Sequence, residues 1–317
     1  MTSPDEGLEA ALGQLSADVG VPPEELRHVV EAALADAYRR AFAVPGPVQV
    51  RLGVGPEGIE ITSAAGALPV ADFKRMAAQT ARTAVARHLR HLEHERALNE
   101  IERHRGELAS GIVDRIERGA VYVDLGRVEG IMPPEEQIPG ETLTPGRPVT
   151  VAILDGSVPG TRSAVRVSRG SRVFVLKLLE AEVPEVAAGT VAVKTIAREP
   201  GLRTKVAVAS SEPGIDPVGA CVGPKGVRHR SILQELGPEH VDVVPWDPDP
   251  ARFVAAALGP ATVLDVDIDP ETRTAHVTVP RDQLSLAIGK DGQNARLAAR
   301  LTGWRVDIRG GAEAAPA

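Results

Sequence analysis

The ten residues Cys221–Arg230, CVGPKGVRHR, set two glycines around Pro224 and Lys225 and follow them at once with a basic run. A lone Gly-x-x-Gly is weak, because turns use glycine for its positive φ alone. The same device returns further on as AIGKDGQN, Ala287–Asn294, and the surroundings return with it. DPVGACVGPKGVRHRSILQELGPEHVDVVPW and DQLSLAIGKDGQNARLAARLTGWRVDI share one plan: a short helix ending in an aliphatic residue and Gly, two variable residues, Gly, a second helix, a glycine, then a strand. Val222-Gly223-Pro224-Lys225-Gly226 corresponds to Ile288-Gly289-Lys290-Asp291-Gly292, and Val241-Asp242-Val243 to Val306-Asp307-Ile308. Upstream of each turn stand a helical stretch and two strands, RVFVLKLLEAE, VAVKTIARE and TKVAVAS in the first copy and PARFVAAALG, VLDVDID and TAHVTV in the second. Each copy therefore reads helix, strand, strand, helix, helix, strand.

Twice in this context, Gly-x-x-Gly is the clamp of the KH domain, whose backbone passes close to several nucleotides of single-stranded RNA. A side chain at either glycine is expected to obstruct phosphate, while the helix that follows offers unpaired N–H groups and a positive dipole end. The candidate RNA-binding residues are Gly223, Pro224, Lys225, Gly226, Arg228 and Arg230 in the first copy, and Gly289, Lys290, Asp291, Gly292, Gln293, Asn294 and Arg296 in the second. Val222 and Ile288 either border an aliphatic groove for bases or pack the first helix onto the sheet. Asp291 places a negative charge where phosphate would lie, so the first clamp should be the tighter.

The 317 residues suffice for several modules, and 43% hydrophobic with 25% charged residues is the balance of a soluble globular protein. No apolar run approaches the roughly 20 residues of a membrane span, and the acidic start MTSPDEGLEA lacks a signal core, so a cytoplasmic protein is expected. The single cysteine, Cys221, excludes an internal disulfide and reads as a small core residue. A formal net charge of -7 argues against indiscriminate nucleic-acid binding but leaves room for local basic patches. With 3% aromatics, contacts must lean on backbone clamping rather than broad stacking platforms.

Toward the N-terminus, VPPEELRHVVEAALADAYRRAFA repeats apolar residues at helical spacing behind two prolines and two glutamates. VQVRLGVGPEGIEIT alternates on both sides of Gly55-Pro56-Glu57-Gly58, as a hairpin would. A long helix is expected from about Phe73 to Arg105; its arginines and histidines form either a basic face or, the preferred reading, a solvated connecting helix, and no metal site is expected. After Gly106 come short strands separated by Gly and Pro, the texture of a small barrel. In VYVDL, Val121, Val123 and Leu125 face one side and Tyr122 the other, where it either stacks a base or is an ordinary exposed aromatic.

This order of modules closely resembles the NusA family of bacterial transcription elongation factors, over nearly the whole chain. VDLGRVEGIMPPEEQIPGE looks like that family's S1 domain, DPVGACVGPKG its first KH module and AIGKDGQNARLAARLTGW its second. The expected fold is α+β and multidomain: a helical N-terminal domain with a small β-hairpin, an OB-type S1 β-barrel, and two tandem type II KH modules. The expected limits are 1–105, 106–170, 171–247 and 248–310, with a disordered tail at 311–317. The resemblance implies a protein that binds RNA polymerase through its N-terminal domain and nascent single-stranded RNA through barrel and KH modules, modulating pausing, termination and antitermination, with other antitermination factors as further partners; a monomer is the default expectation, since nothing in the sequence demands an oligomer. It implies neither catalysis nor a cofactor. Residues 63–72 form a shorter segment than in many relatives, and the acidic C-terminal repeats of some relatives are not expected after GGAEAAPA. The rivals are an RNA-processing enzyme of the exosome type and a ribosome-assembly factor; the scattered acids of the N-terminal third disfavour the first, and the N-terminal helical domain the second.

Overall fold

The computed structural model describes residues 13–14, 16–18, 20–54, 58–154 and 164–311. Two compact units divide the chain, one ending at Ala97 and the other beginning at Leu98. In the first, helix α1 (Pro23–Ala41) opens with a proline that has no N–H to lose and with Glu24 and Glu25 at its positive end. Leu26, Val30, Leu34 and Tyr38 recur every fourth residue and are buried. Strands β1 (Val48–Leu52) and β2 (Ile59–Ser63) pair antiparallel from Val48↔Ser63 to Leu52↔Ile59. The turn residues 55–57 expected between them lie outside the described residues. A two-residue strand β3 (Gly66–Ala67) extends the sheet; two residues are too few for alternation to announce. Val50, Leu52, Ile61 and Phe73 join the buried face of α1, and the Tyr38 hydroxyl donates to Pro69 O at 2.9 Å. Helix α2 runs over Lys74–Arg103. His88 on it lies 2.9 Å from Glu25, and His91 lies 3.2 Å from Glu95, so both imidazoles are engaged by glutamates of this unit.

The second unit begins with a closed barrel of β4 (Leu108–Glu117), β5 (Ala120–Asp124), β6 (Glu129–Met132), β7 (Pro148–Ile153) and β8 (Ala164–Ser168), in the order β4-β5-β6-β8-β7. Val113, Val121, Val123, Val151, Val165 and Val167 fill it, as the period-two alternation requires. The first repeat follows: α3 (Arg172–Glu182), the short α4 (Pro184–Ala187), β9 (Val191–Glu199), β10 (Arg203–Ser210), α5 (Pro217–Val222), α6 (Val227–Leu236) and β11 (His240–Pro245). The second is α7 (Pro250–Ala257), β12 (Asp265–Asp269), β13 (Thr274–Pro280), α8 (Leu284–Ile288), α9 (Gln293–Thr302) and β14 (Arg305–Gly311). The tail expected after it lies, beyond Gly311, outside the described residues. Both sheets have the same topology, a central strand antiparallel to the first strand of the copy and parallel to the last. Ser171, Asp216 and Asp249 cap α3, α5 and α7 through side-chain oxygens that accept main-chain N–H groups.

One face of the first sheet packs Ile196, Val206, Val208 and Val241 on its own helices, together with the buried Cys221, whose thiol burial pushes up to about 11. The other face is largely covered, although Arg203 and Asp242 at its edge stay about a quarter exposed. Ala197, Ala207 and Val244 lie in one core with Val254, Leu297 and Leu301 of the second copy. Between them runs the cross-strand row Ala197–Lys205–Asp242. Lys205 is fully buried, donating to Asp242 at 3.1 Å and to Gly259 O of the second copy at 2.9 Å. In the second sheet the corresponding row is Asp267–His276–Asp307, with His276 3.2 Å from Asp307, and it is solvated. Arg169, also buried, ties barrel to first repeat: it donates twice to Glu141, at 2.8 and 2.9 Å, and to Glu235 at 2.6 Å. Arg198 and Glu239 form a buried two-pronged pair at 2.9 and 2.8 Å that Thr204 and the Gly201 N–H complete. Among the described residues, no helix is long and apolar enough to cross a membrane.

Candidate nucleic-acid interface

The two Gly-x-x-Gly turns have the same backbone. Gly223 and Gly289 have φ/ψ of 73/170° and 76/170°, Lys225 and Asp291 of 52/23° and 52/27°, and Gly226 and Gly292 of 73/22° and 72/15°. The first glycine of each pair sits in a region that only glycine enters freely. It is also crowded: a Cβ on Gly289 would lie 2.8 Å from Asn294 N, and one on Gly223 would lie 2.7 Å from Arg228 Cγ. The second glycine is left-handed but open, with nothing within 4 Å of a Cβ on Gly292 and only the Arg230 guanidinium, at 3.5 Å, near one on Gly226. The sequence suggests access to phosphate at both glycines. The structure divides the labour, the first glycine letting the chain fold against the second helix and the second leaving the approach free.

No side chain caps the N-terminus of α6 or α9; the first helical N–H of each, on Val227 and Gln293, donates to Pro224 O and Lys290 O, so an anion there would be met by the later N–H groups of the first turn and by the positive end of the helix. Each turn is buttressed in the same way. Arg230 Nη1 donates to Lys225 O at 2.8 Å, and Arg296, four residues past the second clamp just as Arg230 is past the first, donates to Asp291 O at 3.1 Å. Arg228 and Asn294 also occupy one position in the repeat. Arg228 donates to Ala220 O at 2.7 Å, and Asn294 to Ala287 O at 3.1 Å and Leu258 O at 2.9 Å. The bonds to Ala220 O and Ala287 O satisfy carbonyls near the end of the first helix of each clamp. Asn294 is 1% exposed, so this sequence-selected residue is a buried brace rather than a surface contact. Arg228 likewise spends its charge internally, on Glu185 at 2.8 Å; the main-chain N–H of Glu185 and then Arg228 hold that carboxyl below its ordinary value.

Lys225 and Lys290 are exposed, as are Pro224 and Asp291. Among the described residues no carboxylate pairs with Lys225, Arg230 or Lys290. In the second copy Arg296 donates from Nε and Nη2 to Glu199 at 2.7 and 3.1 Å, Arg300 at 3.2 Å, and Gln293 at 3.0 Å. The Arg296 hydrogen bonds hold the Glu199 carboxyl below its ordinary value. Glu199 ends a strand of the first copy, and no sequence signal marks it, because its partners lie 94 to 101 residues away. Val222 is half-buried and Ile288 is 36% exposed, beside Leu286 at 46%, so apolar surface flanks the second clamp. Tyr122 belongs to the barrel and to neither clamp. It points outward, half-buried, with the Arg115 guanidinium 3.9 Å from its ring centre and Asp114, Glu117 and Glu129 on that guanidinium.

Family models match both copies: a NusA-like first KH domain over residues 169–246 and a NusA-like second KH domain over residues 250–315. Three curated proteins, each named transcription termination/antitermination protein NusA, are similar over most of the chain. The one from Mycobacterium bovis is 40% identical over 326 residues, covering 97% of this chain and 94% of its own. The Bacillus subtilis protein is 38% identical over 338 residues, covering 94% and 89%. The Thermus thermophilus protein is 44% identical over 293 residues, covering 89% and 72%.

Proposed function

The chain belongs to the NusA family, and from that premise we propose that it acts in transcription termination and antitermination by holding single-stranded nascent RNA across its two clamps while its N-terminal unit engages RNA polymerase. The observation that carries this reading is the twofold occurrence of one clamp backbone, each with an uncapped helix N-terminus behind it. Backbone donors grip phosphates without reading sequence, so such clamps follow whatever RNA emerges. The contacting residues in this proposal are Gly226, Gly292, Pro224, Lys225, Lys290, Arg230, Asp291, Gln293 and Arg296. Gly223 and Gly289 shape the turns, and Arg228 and Asn294 brace them. Tyr122 adds a barrel contact through the part of its ring that the Arg115 guanidinium leaves uncovered. The role is one of binding, without a catalysed step, and we assign it to a cytoplasmic monomer whose modules divide near residues 105, 170, 247 and 310.

A transcription assay with purified polymerase tests this. The wild-type chain should alter pause duration and termination efficiency, and the double variant Lys225→Asp, Lys290→Asp should lose most of that effect while keeping its thermal midpoint. Lys225→Asp adds no backbone strain, because Asp291 already occupies the corresponding left-handed position at φ 52°. Equal activity of variant and wild type rejects the clamp reading.

A further inference from the structure

The repeat contains its own control experiment. Arg230 and Arg296 occupy the same position, and each donates one nitrogen to the carbonyl inside its clamp. They differ in what holds the rest of the guanidinium: among the described residues Arg230 meets no carboxylate, whereas Glu199 grips Arg296 on two nitrogens and also takes Arg300 and Gln293. A carboxylate bound by a forked arginine, a second arginine and an amide has the hydrogen-bond pattern of a bound phosphate. It reaches the second clamp from the first copy, at the end of β9.

We propose that Glu199 is an internal stand-in for RNA phosphate, a carboxylate of the first KH module that occupies the cations of the second clamp and must be displaced when RNA binds there. This rests on the reading of the clamps as RNA-binding. Three features favour competition over simple bracing. The Glu199 side chain is only 14% exposed, but Arg296 and Arg300 are 44% and 53% exposed, so an incoming phosphate can reach the guanidiniums from the solvent side. On that outer side the guanidiniums are solvated and their charge is screened, so the pairs are open to replacement from water. Arg296 also keeps its bond to Asp291 O independently of Glu199, so loss of the carboxylate leaves the arginine beside the clamp. The second clamp is therefore attenuated twice, by Asp291 within the loop and by Glu199 from the neighbouring module.

The test measures binding of the full chain to a fluorescent single-stranded RNA oligonucleotide across a salt series, for wild type, Glu199→Gln, and Glu199→Gln combined with Arg296→Gln. Glutamine keeps the size and one acceptor of the side chain and removes the charge. Freeing one net positive charge should steepen the slope of log affinity against log salt by about 0.7, which is about eightfold tighter binding at about 50 mM salt relative to a 1 M reference. The gain should persist when Lys225→Asp silences the first clamp, and should vanish with Arg296→Gln. Unchanged affinity and slope in Glu199→Gln, or weaker binding at unchanged slope, overturns the proposal and makes Glu199 a structural tie. If the wild-type chain itself shows no salt-dependent binding, the clamp reading fails and this proposal fails with it; wild-type binding that Glu199→Gln leaves untouched sinks the proposal alone.

Discussion

Within each clamp, two glycines that look equivalent in sequence carry unequal loads. Gly292 needs only a left-handed φ of 72°, and Gly292→Ala should cost about 1–2 kcal/mol. Gly289 combines a glycine-only conformation with a Cβ position 2.8 Å from main-chain Asn294 N, which cannot swing aside. Gly289→Ala should therefore be clearly the more destabilising, and paired thermal or urea unfolding of the two variants checks the order. The clamps were legible in the sequence because glycine pairs at fixed spacing recur with the same helices and strand around them. The inward turn of Asn294 was not, since a polar residue in the first turn of a helix ordinarily faces water, and only its hydrogen bonds to Leu258 O and Ala287 O reveal the brace. Arg228 misleads for the same reason: it stands in a basic run, yet Glu185 sits 43 residues away in sequence and cannot be seen from there.

Among the elements, β9 and β11 of the first module hold carboxylates, Glu199 and Asp242, whose ionisation is tied to folding. Burial alone would raise the Asp242 carboxyl, but the Arg203 hydrogen bond and the Lys205 charge outweigh it and hold it below the ordinary value. Glu199 is held low by Arg296. A lowered folded value means the native state binds fewer protons than the unfolded chain, so this stabilisation is complete above the ordinary carboxylate range and is lost as pH falls through it. The thermal midpoint should thus begin to drop below about pH 4, and Asp242→Asn should make that drop shallower; a midpoint insensitive to pH down to about 3 would refute the linkage. The strands themselves could be read from alternation, as the barrel and both sheets show. The strand β3 could not, and neither could the pairing of Lys205 with Asp242, which depends on a parallel register between strands separated by two helices.

For the molecule as a whole, the decisive feature is that the core of the second KH module is shared with one face of the first module's sheet. Ala197, Ala207 and Val244 of one share a cluster with Val254, Leu297 and Leu301 of the other. Leu297→Ala should cost about 2–5 kcal/mol, and calorimetry should show both modules melting in one shifted transition rather than one module melting alone. A shared core also fixes the distance between the clamps, which independent domains on a linker would not do. The sequence displays the repeat but not this coupling, since small residues such as Ala207 read equally well as solvent-side spacers. The solvated row Asp267–His276–Asp307 has a further consequence. Its counterpart Ala197–Lys205–Asp242 is the face on which one module receives the next. An apolar face in the second module would make every molecule an acceptor for the helices of another, and such head-to-tail contacts do not close. Charged aspartates and a histidine at that place end the stack at two, so the geometry that joins the pair does not propagate into a fibre.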